Sequence, residues 1–392
     1  MCTTTVDLVQ DADSVGGEAN GDWVCYVCRN GLAVVKGRQL QPKERVCSGN
    51  DESILLLGGE LEDVTTAEPP LAITLSDSEV AWIRNASDRA VAATWYGPHE
   101  QGKSSNQDFA LSASIQSDGG KEYLFAAVAD GVSTKTFWAA RSARLACLTA
   151  MRVIATAVTN RDDFDDQALT DMRVALASSL KSELARDKAT LIAAKAVPEG
   201  WDEGLYHKHV GVDAYWYNTT LLTSVLSDDL GFVLFSGDGG IQVRKRGNET
   251  TDEPIRVLKS DESLEISSFV SLSVTAADFQ AARFADIASL ESVNVILATD
   301  GVDRTLQMGS LTDCDYEKLD LSSPASALSE LKRLGEMPKH EMDNYSIARL
   351  TWIKAIAPKN SVLCEDASVS VIDVSTSGAA PETDDEATTS EK

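Results

Sequence analysis

Five aspartates in this sequence stand beside Gly, Gln or Asn in short motifs spread over the middle of the chain. They are Asp108, Asp130, Asp238, Asp300 and Asp343. A single Asp-Gly pair is most often a turn. An ordered set of carboxylates at strand ends suits a hard divalent cation such as Mg²⁺ or Mn²⁺, because these ions take oxygen ligands. We interpret the set as a metal site.

Two of these aspartates close runs of apolar residues. Tyr123-Leu-Phe-Ala-Ala-Val-Ala precedes Asp130-Gly131, and Val293-Asn-Val-Ile-Leu-Ala-Thr precedes Asp300-Gly301. Such runs predict buried strands, and a glycine after the acid lets the backbone turn sharply. The two strands are therefore expected to aim their carboxylates at a common cation.

The other predicted elements come in blocks. Strands are expected at 90–96, 109–115 and 123–129, followed by two adjacent helices at 137–158 and 165–195. Further strands at 219–225, 231–235 and 241–244 precede a short helix near 330–334 and a closing strand at 344–352. This order differs from regular βαβ alternation. It predicts an α+β fold with helices outside antiparallel sheets.

Composition divides the chain into three parts. Residues 1–89 are expected to form a small β-rich N-terminal segment, 90–355 the main domain, and 356–392 an extension that ends in a disordered acidic tail. Cys25 and Cys28 have zinc or redox spacing, with Cys2 and Cys47 as further ligands. In a strand Cys25 and Cys28 would face opposite sides, so structural cysteines are favoured.

Charge and cysteine usage limit the possible partners and location. The net charge is −26, from 61 acidic and 35 basic residues, which argues against binding nucleic acid or anionic membranes. The seven scattered cysteines, the absence of a signal peptide and the absence of a long apolar span indicate a cytoplasmic protein. No oligomeric state is indicated.

The motifs together resemble the type 2C family of metal-dependent serine/threonine protein phosphatases, and most closely its bacterial branch. The resemblance covers residues 90–352 and rests on a set of motifs in the family's order: Lys103-Ser-Ser-Asn-Gln-Asp108, Val128-Ala-Asp130-Gly131-Val132, Thr219-Thr-Leu-Leu-Thr-Ser-Val, Ser236-Gly-Asp238-Gly-Gly, Leu297-Ala-Thr-Asp300-Gly301-Val302 and Asp343-Asn344-Tyr-Ser-Ile-Ala-Arg. It implies a four-layer αββα sandwich of two antiparallel sheets flanked by helix pairs.

The resemblance also implies a centre of two Mn²⁺ or Mg²⁺ ions. Asp130 would bridge both ions and the Gly131 carbonyl would bind one. Asp300 and Asp343 would complete one ion, Asp108 would act on the other side, and Asp238 would hold metal-bound water. A hydroxide between the ions would hydrolyse phosphoserine or phosphothreonine in a phosphoprotein substrate, without a covalent intermediate.

Several residues depart from the family pattern. Lys103 stands where the family usually has the arginine that contacts the substrate phosphate, and it lacks that residue's two-pronged geometry. Gln107 replaces a frequent Glu, and Val132 replaces a histidine thought to protonate the leaving group. His99, beside Lys103, is a candidate substrate contact. His207 and His209 are further candidate proton donors, and Asp303 lies one place before an acid that often assists a third ion.

These departures leave alternatives to a protein phosphatase. The first is a pseudo-phosphatase, a folded module that regulates a partner without turnover, motivated by Lys103, Gln107 and Val132. The second is a phosphatase of non-protein phosphate esters. Because the acidic residues are all present, catalysis is favoured over binding alone.

Overall fold

The computed structural model describes most of the middle of the chain. The chain divides into two units, Met1–Lys354 and Ala355–Lys392, and every described residue belongs to the first. Most of the predicted β-rich segment 1–89 lies outside the described residues, as do the Cys25–Cys28 motif and the predicted acidic tail. Those described are 45–47, 83–84, 89–97, 106–117, 119–132, 136–161, 164–198, 201–247, 255–258, 269–284, 287–309, 316–340 and 342–354.

The described part contains twelve strands and five α-helices. In chain order they are β1 (Arg45–Cys47), β2 (Ile83–Arg84), β3 (Ala90–Trp95), β4 (Asp108–Gln116), β5 (Glu122–Asp130), α1 (Ala139–Thr159), α2 (Asp166–Ala193), α3 (Glu203–His209), β6 (Leu221–Leu226), β7 (Gly231–Ser236), β8 (Gly240–Arg246), β9 (Ile255–Leu258), β10 (Gln280–Arg283), β11 (Ser292–Ala298), α4 (Asp300–Gly309), α5 (Pro324–Gly335) and β12 (Tyr345–Ile353).

The strands form two six-stranded antiparallel sheets. The first has the order β1-β3-β12-β11-β8-β9 and the second has the order β10-β7-β6-β5-β4-β2. The edge strands β1 and β2 come from the region predicted as a separate N-terminal segment, and they pair with β3 and β4. The remainder of that prediction concerns residues outside the described part.

The two sheets pack face to face, and helices cover both outer faces. Strands β3 and β12 of the first sheet lie against β4 and β5 of the second. Helix α1 covers the other face of β4, β5 and β6, and α2 packs against α1, while α5 lies on β3 and α4 lies beside β12. This four-layer arrangement confirms the predicted α+β sandwich.

Burial from both sides explains why β4 and β5 are apolar without alternation. A strand with one solvated face alternates apolar and polar residues. In β5 every residue from Tyr123 to Ala129 is buried, because one face meets the first sheet and the other meets α1. The sequence run that predicted a buried strand is thus the centre of the second sheet.

Helix α1 is long and apolar enough to cross a membrane by length and composition. However, 67% of its most apolar window is buried inside the protein. Its alanines, including Ala143, Ala146 and Ala150, let it approach the sheet closely. Helix α1 therefore has the burial pattern of a core helix.

A buried ion pair joins the two long helices to the loop that precedes β6. The Arg141 guanidinium of α1 donates from Nε and Nη2 to the two carboxylate oxygens of Asp187 on α2, each at 2.6 Å. The Tyr217 hydroxyl donates to the same carboxylate at 2.7 Å. Because Tyr217 precedes the threonines that hold Asp130, this network links the helices to the site described next.

Candidate metal centre

Asp108 and Asp130 occupy opposite positions on adjacent strands. Asp108 begins β4, Asp130 ends β5, and the two residues pair directly across the antiparallel ladder. Their carboxyl groups are linked by a hydrogen bond. Two carboxyls in contact require either a shared proton or a cation between them.

Backbone contacts fix the position of Asp130. Its N–H donates to the Thr220 hydroxyl at 2.9 Å, and its carbonyl accepts from the Thr219 hydroxyl and the Thr220 N–H, each at 2.8 Å. The Thr219-Thr220 pair recognised as a sequence motif therefore holds the end of β5. Both threonines bond to the backbone of Asp130 and not to its carboxyl group.

Gly131 is required by close packing, not by backbone conformation. It has no left-handed φ, and a Cβ placed on it would lie 2.3 Å from the Ala139 carbonyl oxygen and 2.8 Å from that of Gln107. The Gly131 N–H donates to the Gln107 carbonyl at 3.1 Å. The prediction that Gly131 is needed for a sharp turn was wrong. Glycine is needed here because it lets β5 approach α1.

Asp300 begins helix α4, immediately after β11 and Thr299. Its Oδ1 atom is buried and has no hydrogen-bond partner among the described residues. Its neighbour Gly301 is again a close-approach position, because a Cβ there would lie 2.3 Å from the Asn344 carbonyl oxygen. The sequence predicted a turn after this strand, whereas the structure shows a helix start.

The two remaining aspartates lie in the connections that precede β8 and β12. Asp238 stands between Gly237 and Gly239, whose φ angles are 90° and 130°, a left-handed geometry that favours glycine. Asp343 accepts through Oδ1 from the Asn344 N–H at 2.8 Å. Both acids are thereby presented by rigid turns at ends of strands in the first sheet.

Asn344 connects the Asp343 turn to the start of β4. With its amide oriented to satisfy both groups, its nitrogen donates to the Tyr96 carbonyl at 2.9 Å and its oxygen accepts from the Gln107 N–H at 3.2 Å. The preceding Asp343 carbonyl lies against Gly97, which has a φ of 77°. These contacts hold the Asp343 turn against the backbone that leads to Asp108.

We call these five residues (Asp108, Asp130, Asp238, Asp300 and Asp343) the acidic cluster. Burial, and then the charge of Asp343, raises the pKa of Asp108 to about 7. Burial, and then the charge of Asp238, raises the pKa of Asp300 to about 7. Burial and the neighbouring carboxylates also raise the pKa of Asp130 well above its usual value. The fold thus brings together carboxyl groups whose ionised forms repel one another.

The donor set of the acidic cluster fits hard divalent cations. It consists of carboxylates, and the buried Asp300 Oδ1 atom without a hydrogen-bond partner is an available ligand. Among the described residues, no group of three or more His, Cys, Asp or Glu side chains is placed to hold one metal ion. Mg²⁺ commonly keeps several waters and few protein ligands, so an open arrangement is compatible with Mg²⁺ or Mn²⁺.

The remaining predicted site residues have varied positions. Lys103 and His99 lie outside the described residues. Val132 is described, and its N–H donates to the Asn218 carbonyl at 2.9 Å. On α3, the His207 imidazole lies 3.5 Å from Glu203, and the His209 ring stacks on Tyr215 with centroids 4.5 Å apart.

Asp303 is engaged outside the acidic cluster. Its Oδ1 accepts from the Tyr316 hydroxyl at 2.6 Å and its Oδ2 accepts from Gln307 at 2.7 Å. The next residue, Arg304, stands where the resemblance implies an acid near a third ion. These contacts give Asp303 a structural function at the start of α4.

Two residues of the site were missed by reasoning from the sequence. The Thr299 hydroxyl donates to Asp108 Oδ2 at 2.8 Å, and the Arg304 guanidinium lies 3.2 Å from Asp300 Oδ2. Thr299 gave no sequence signal beyond its place in a motif. Arg304 could be recognised only once helix α4 is known, because residues four apart on a helix face each other.

Comparison with known protein families identifies the family of this chain. The family model described as protein phosphatase 2C matches residues 98–334, which is more than half of the chain. The chain belongs to the protein phosphatase 2C family. No curated protein matches this family member in a direct comparison.

Solved structures similar to this phosphatase 2C chain include three bacterial proteins. A serine/threonine phosphatase of S. agalactiae is 15% identical over 68% of this chain and 99% of its own, with a TM-score of 0.41. PppA of Pseudomonas aeruginosa is 15% identical over 70% of this chain and 98% of its own, with a TM-score of 0.42. The catalytic domain of the serine/threonine phosphatase PstP, in complex with two manganese ions, is 13% identical over 69% of this chain and 98% of its own. Its TM-score is 0.38.

Proposed function

We propose that this protein is a metal-dependent phosphatase that hydrolyses phosphoserine and phosphothreonine in proteins. The observation that carries the proposal is the acidic cluster in a chain of the phosphatase 2C family. Five carboxyls from both sheets converge, and the pKa of Asp108, of Asp130 and of Asp300 is raised by burial and by the other carboxyls. Carboxyl groups with strongly perturbed pKa values cluster at functional sites, and a divalent cation would offset the repulsion among them.

The residues proposed to hold two Mn²⁺ or Mg²⁺ ions are the members of the acidic cluster and the Gly131 carbonyl. When bound, such ions lower the pKa of bound water and neutralise charge on a transferring phosphoryl group. Asp130 has the central position, because its carboxyl contacts Asp108 and interacts with the charges of Asp300 and Asp343. The threonines at 219 and 220 keep it in that position.

Other residues of the chain are proposed to orient the aspartates and to bind the substrate phosphate. Thr299 orients the Asp108 carboxylate through its hydroxyl, and the Asp343 turn is held by Asn344. The free cysteine Cys147 is buried in the core under β4. Its thiol is therefore not accessible to a substrate. Lys103 remains our proposed contact for the substrate phosphate, and His99, four residues earlier in the sequence, is a second proposed contact.

The test is hydrolysis of a phosphoserine peptide, a phosphothreonine peptide and p-nitrophenyl phosphate with Mn²⁺. The wild type is compared with Asp130→Asn, which keeps the size of the side chain and removes its charge. Asp171→Asn, the same change at an exposed site on α2, is the matched control. We expect activity that requires Mn²⁺, survives in the control and is lost in Asp130→Asn.

The alternative functions give different results in the same assay. A pseudo-phosphatase would bind Mn²⁺ without hydrolysing any of the substrates, a result that would give weight to Val132 and Gln107. A phosphatase of small esters would hydrolyse members of a panel of non-protein phosphates and leave both peptides intact. Hydrolysis that persists in Asp130→Asn would contradict the proposed role of the acidic cluster.

A further inference from the structure

Arg304 places a positive charge against one edge of the acidic cluster. It lies one helical turn after Asp300 on α4, and its Nη2 atom is 3.2 Å from Asp300 Oδ2 and 3.7 Å from Asp238 Oδ2. The Arg304 side chain is 50% exposed, whereas both carboxylates are only 14% exposed. The guanidinium thus approaches the two acids from the solvent side.

This cation changes the electrostatics of that edge. Burial raises the pKa of Asp238 and of Asp300, and the Arg304 charge opposes the increase in both. At the other end of the acidic cluster, the Asp108 and Asp130 carboxyls face each other directly, and no arginine or lysine is among the main influences on their pKa. Within the described residues, the positive charge is therefore concentrated at the Asp238–Asp300 edge.

Helix geometry makes the arrangement persistent. Residues four apart project from the same face of a helix, so Arg304 is directed at Asp300 whenever α4 is formed. The start of α4 is further held by Asp303, whose carboxylate accepts from Tyr316 and Gln307. An incoming cation at this edge therefore has to displace a guanidinium that is tethered nearby.

We propose that Arg304 is a built-in counter-cation of the acidic cluster, which neutralises the Asp238–Asp300 edge and competes there with a divalent ion. The inference rests on the proposed metal dependence. Arg304 does not contact an ion that is held by Asp108 and Asp130 alone, whereas an ion that uses both Asp238 and Asp300 binds only when the guanidinium moves away. Arg304 thereby limits how many divalent ions the centre takes and weakens the outermost one.

Direct measurement of Mn²⁺ binding to the full chain tests this inference. Mn²⁺ alone is titrated against wild type, Arg304→Gln and Arg304→Lys, and free ion is followed by electron paramagnetic resonance. We expect Arg304→Gln to bind one additional Mn²⁺, or to bind its weakest Mn²⁺ about tenfold more tightly, about the effect of removing two partly exposed ion pairs. Arg304→Lys, which keeps the charge, should resemble wild type.

Each other outcome has a defined meaning. If wild type binds Mn²⁺ and Arg304→Gln binds it with the same stoichiometry and affinity, the inference is wrong and the metal centre stands. If Arg304→Lys tightens binding as much as Arg304→Gln, charge is not the cause and the inference is also wrong. If no variant binds Mn²⁺, both the inference and the proposed function fail.

A second readout separates competition with metal from contact with substrate. If Arg304→Gln raises the KM for a phosphopeptide and leaves Mn²⁺ binding unchanged, Arg304 binds the substrate phosphate and the inference is overturned. The KM is measured at saturating Mn²⁺. Arg304 is half-exposed, so both variants are expected to fold, and circular dichroism before each titration verifies this. A second neutral variant, Arg304→Ala, takes the place of Arg304→Gln if that chain is unfolded.

Discussion

The Thr299 hydroxyl donates a 2.8 Å hydrogen bond to the Asp108 carboxylate across 191 positions of sequence. Thr299 follows β11 of the first sheet, and Asp108 begins β4 of the second. The same hydroxyl oxygen accepts from the Ser346 N–H at 3.0 Å. One side chain therefore connects both sheets at the acidic cluster.

Replacing Thr299 by Val should destabilise the protein and weaken metal binding. The variant keeps the shape but leaves the buried Asp108 carboxylate and the Ser346 N–H each without this partner, at a cost of about 1–3 kcal/mol for each unsatisfied group. Unfolding in urea without metal measures the loss of stability. Thr299→Ser retains the hydroxyl and should remain close to wild type, whereas equal losses in both variants would contradict the role of the hydroxyl.

A methyl group at Gly131 should be costly although the backbone conformation there is ordinary. Its Cβ would lie 2.3 Å from the Ala139 carbonyl oxygen, so β5 and α1 would have to separate, at a cost of about 1–3 kcal/mol for overpacking. Both the thermal unfolding temperature and the affinity for Mn²⁺ should be lower in Gly131→Ala than in wild type. Gly211→Ala is the control, because a Cβ at Gly211 meets no atom within 4 Å, and a similar effect in both variants would refute the packing explanation.

The buried Arg141–Asp187 pair should be far more important for stability than the exposed Arg161–Asp171 pair nearby in the chain. Asp187 is fully buried and also accepts from Tyr217, so Asp187→Ala leaves an uncompensated buried charge, at about 3–5 kcal/mol. The solvent-exposed pair Arg161–Asp171 should contribute far less, because water screens it. Chemical unfolding measures the loss in the free energy of unfolding in Asp187→Ala and in Asp171→Ala. Equal losses in the two variants would contradict the greater importance of the buried pair.

Stability without metal should fall as the pH rises. The pKa of Asp108 and of Asp300 is about 7 in the folded protein and about 4 in an unfolded chain. Between these values the folded state binds more protons than the unfolded state, so stability decreases from about pH 4 to about pH 7. The raised pKa of Asp130 contributes a decrease of the same sign. Thermal melts in a chelator across this range measure the slope.

Divalent ions should reverse this trend. Mn²⁺ binds the ionised acidic cluster of the native state, so it should raise the melting temperature most above pH 7, where the carboxylates have lost their protons. Asp130→Asn, which removes one member of the cluster, should show a smaller Mn²⁺ effect. A melting temperature that is independent of pH in the chelator would show that the acidic cluster does not control stability in this range.

The sequence predicted the strands of the sandwich and the two long helices because their burial gives strong patterns. Strand β5 was a continuous apolar run, and α1 had apolar residues at helical spacing. The short strands β9 and β10 were not predicted, because a strand of four residues at a sheet edge has almost no pattern. Helix α4 was not predicted either, because Asp300-Gly301 has turn chemistry and glycine is a poor helix former.

The sequence predicted the five aspartates of the candidate site but not the residues that contact them, Thr299 and Arg304. The five aspartates each stood in a recognisable motif, and the structure brings them together. Thr299 and Arg304 act through contacts that depend on how the two sheets and α4 meet, which no local pattern encodes. For Gly131 the residue was identified but the reason was different, because the nearby Ala139 carbonyl is visible only in three dimensions.

The most direct test of the account is a crystal structure of the protein with Mn²⁺, examined by anomalous scattering. We predict two peaks about 3.5–4 Å apart, the spacing of two-metal sites, both in contact with the Asp130 carboxylate and with other members of the acidic cluster. The absence of manganese from the acidic cluster at saturating Mn²⁺, or a Mn²⁺ bound only elsewhere, would contradict the central claim.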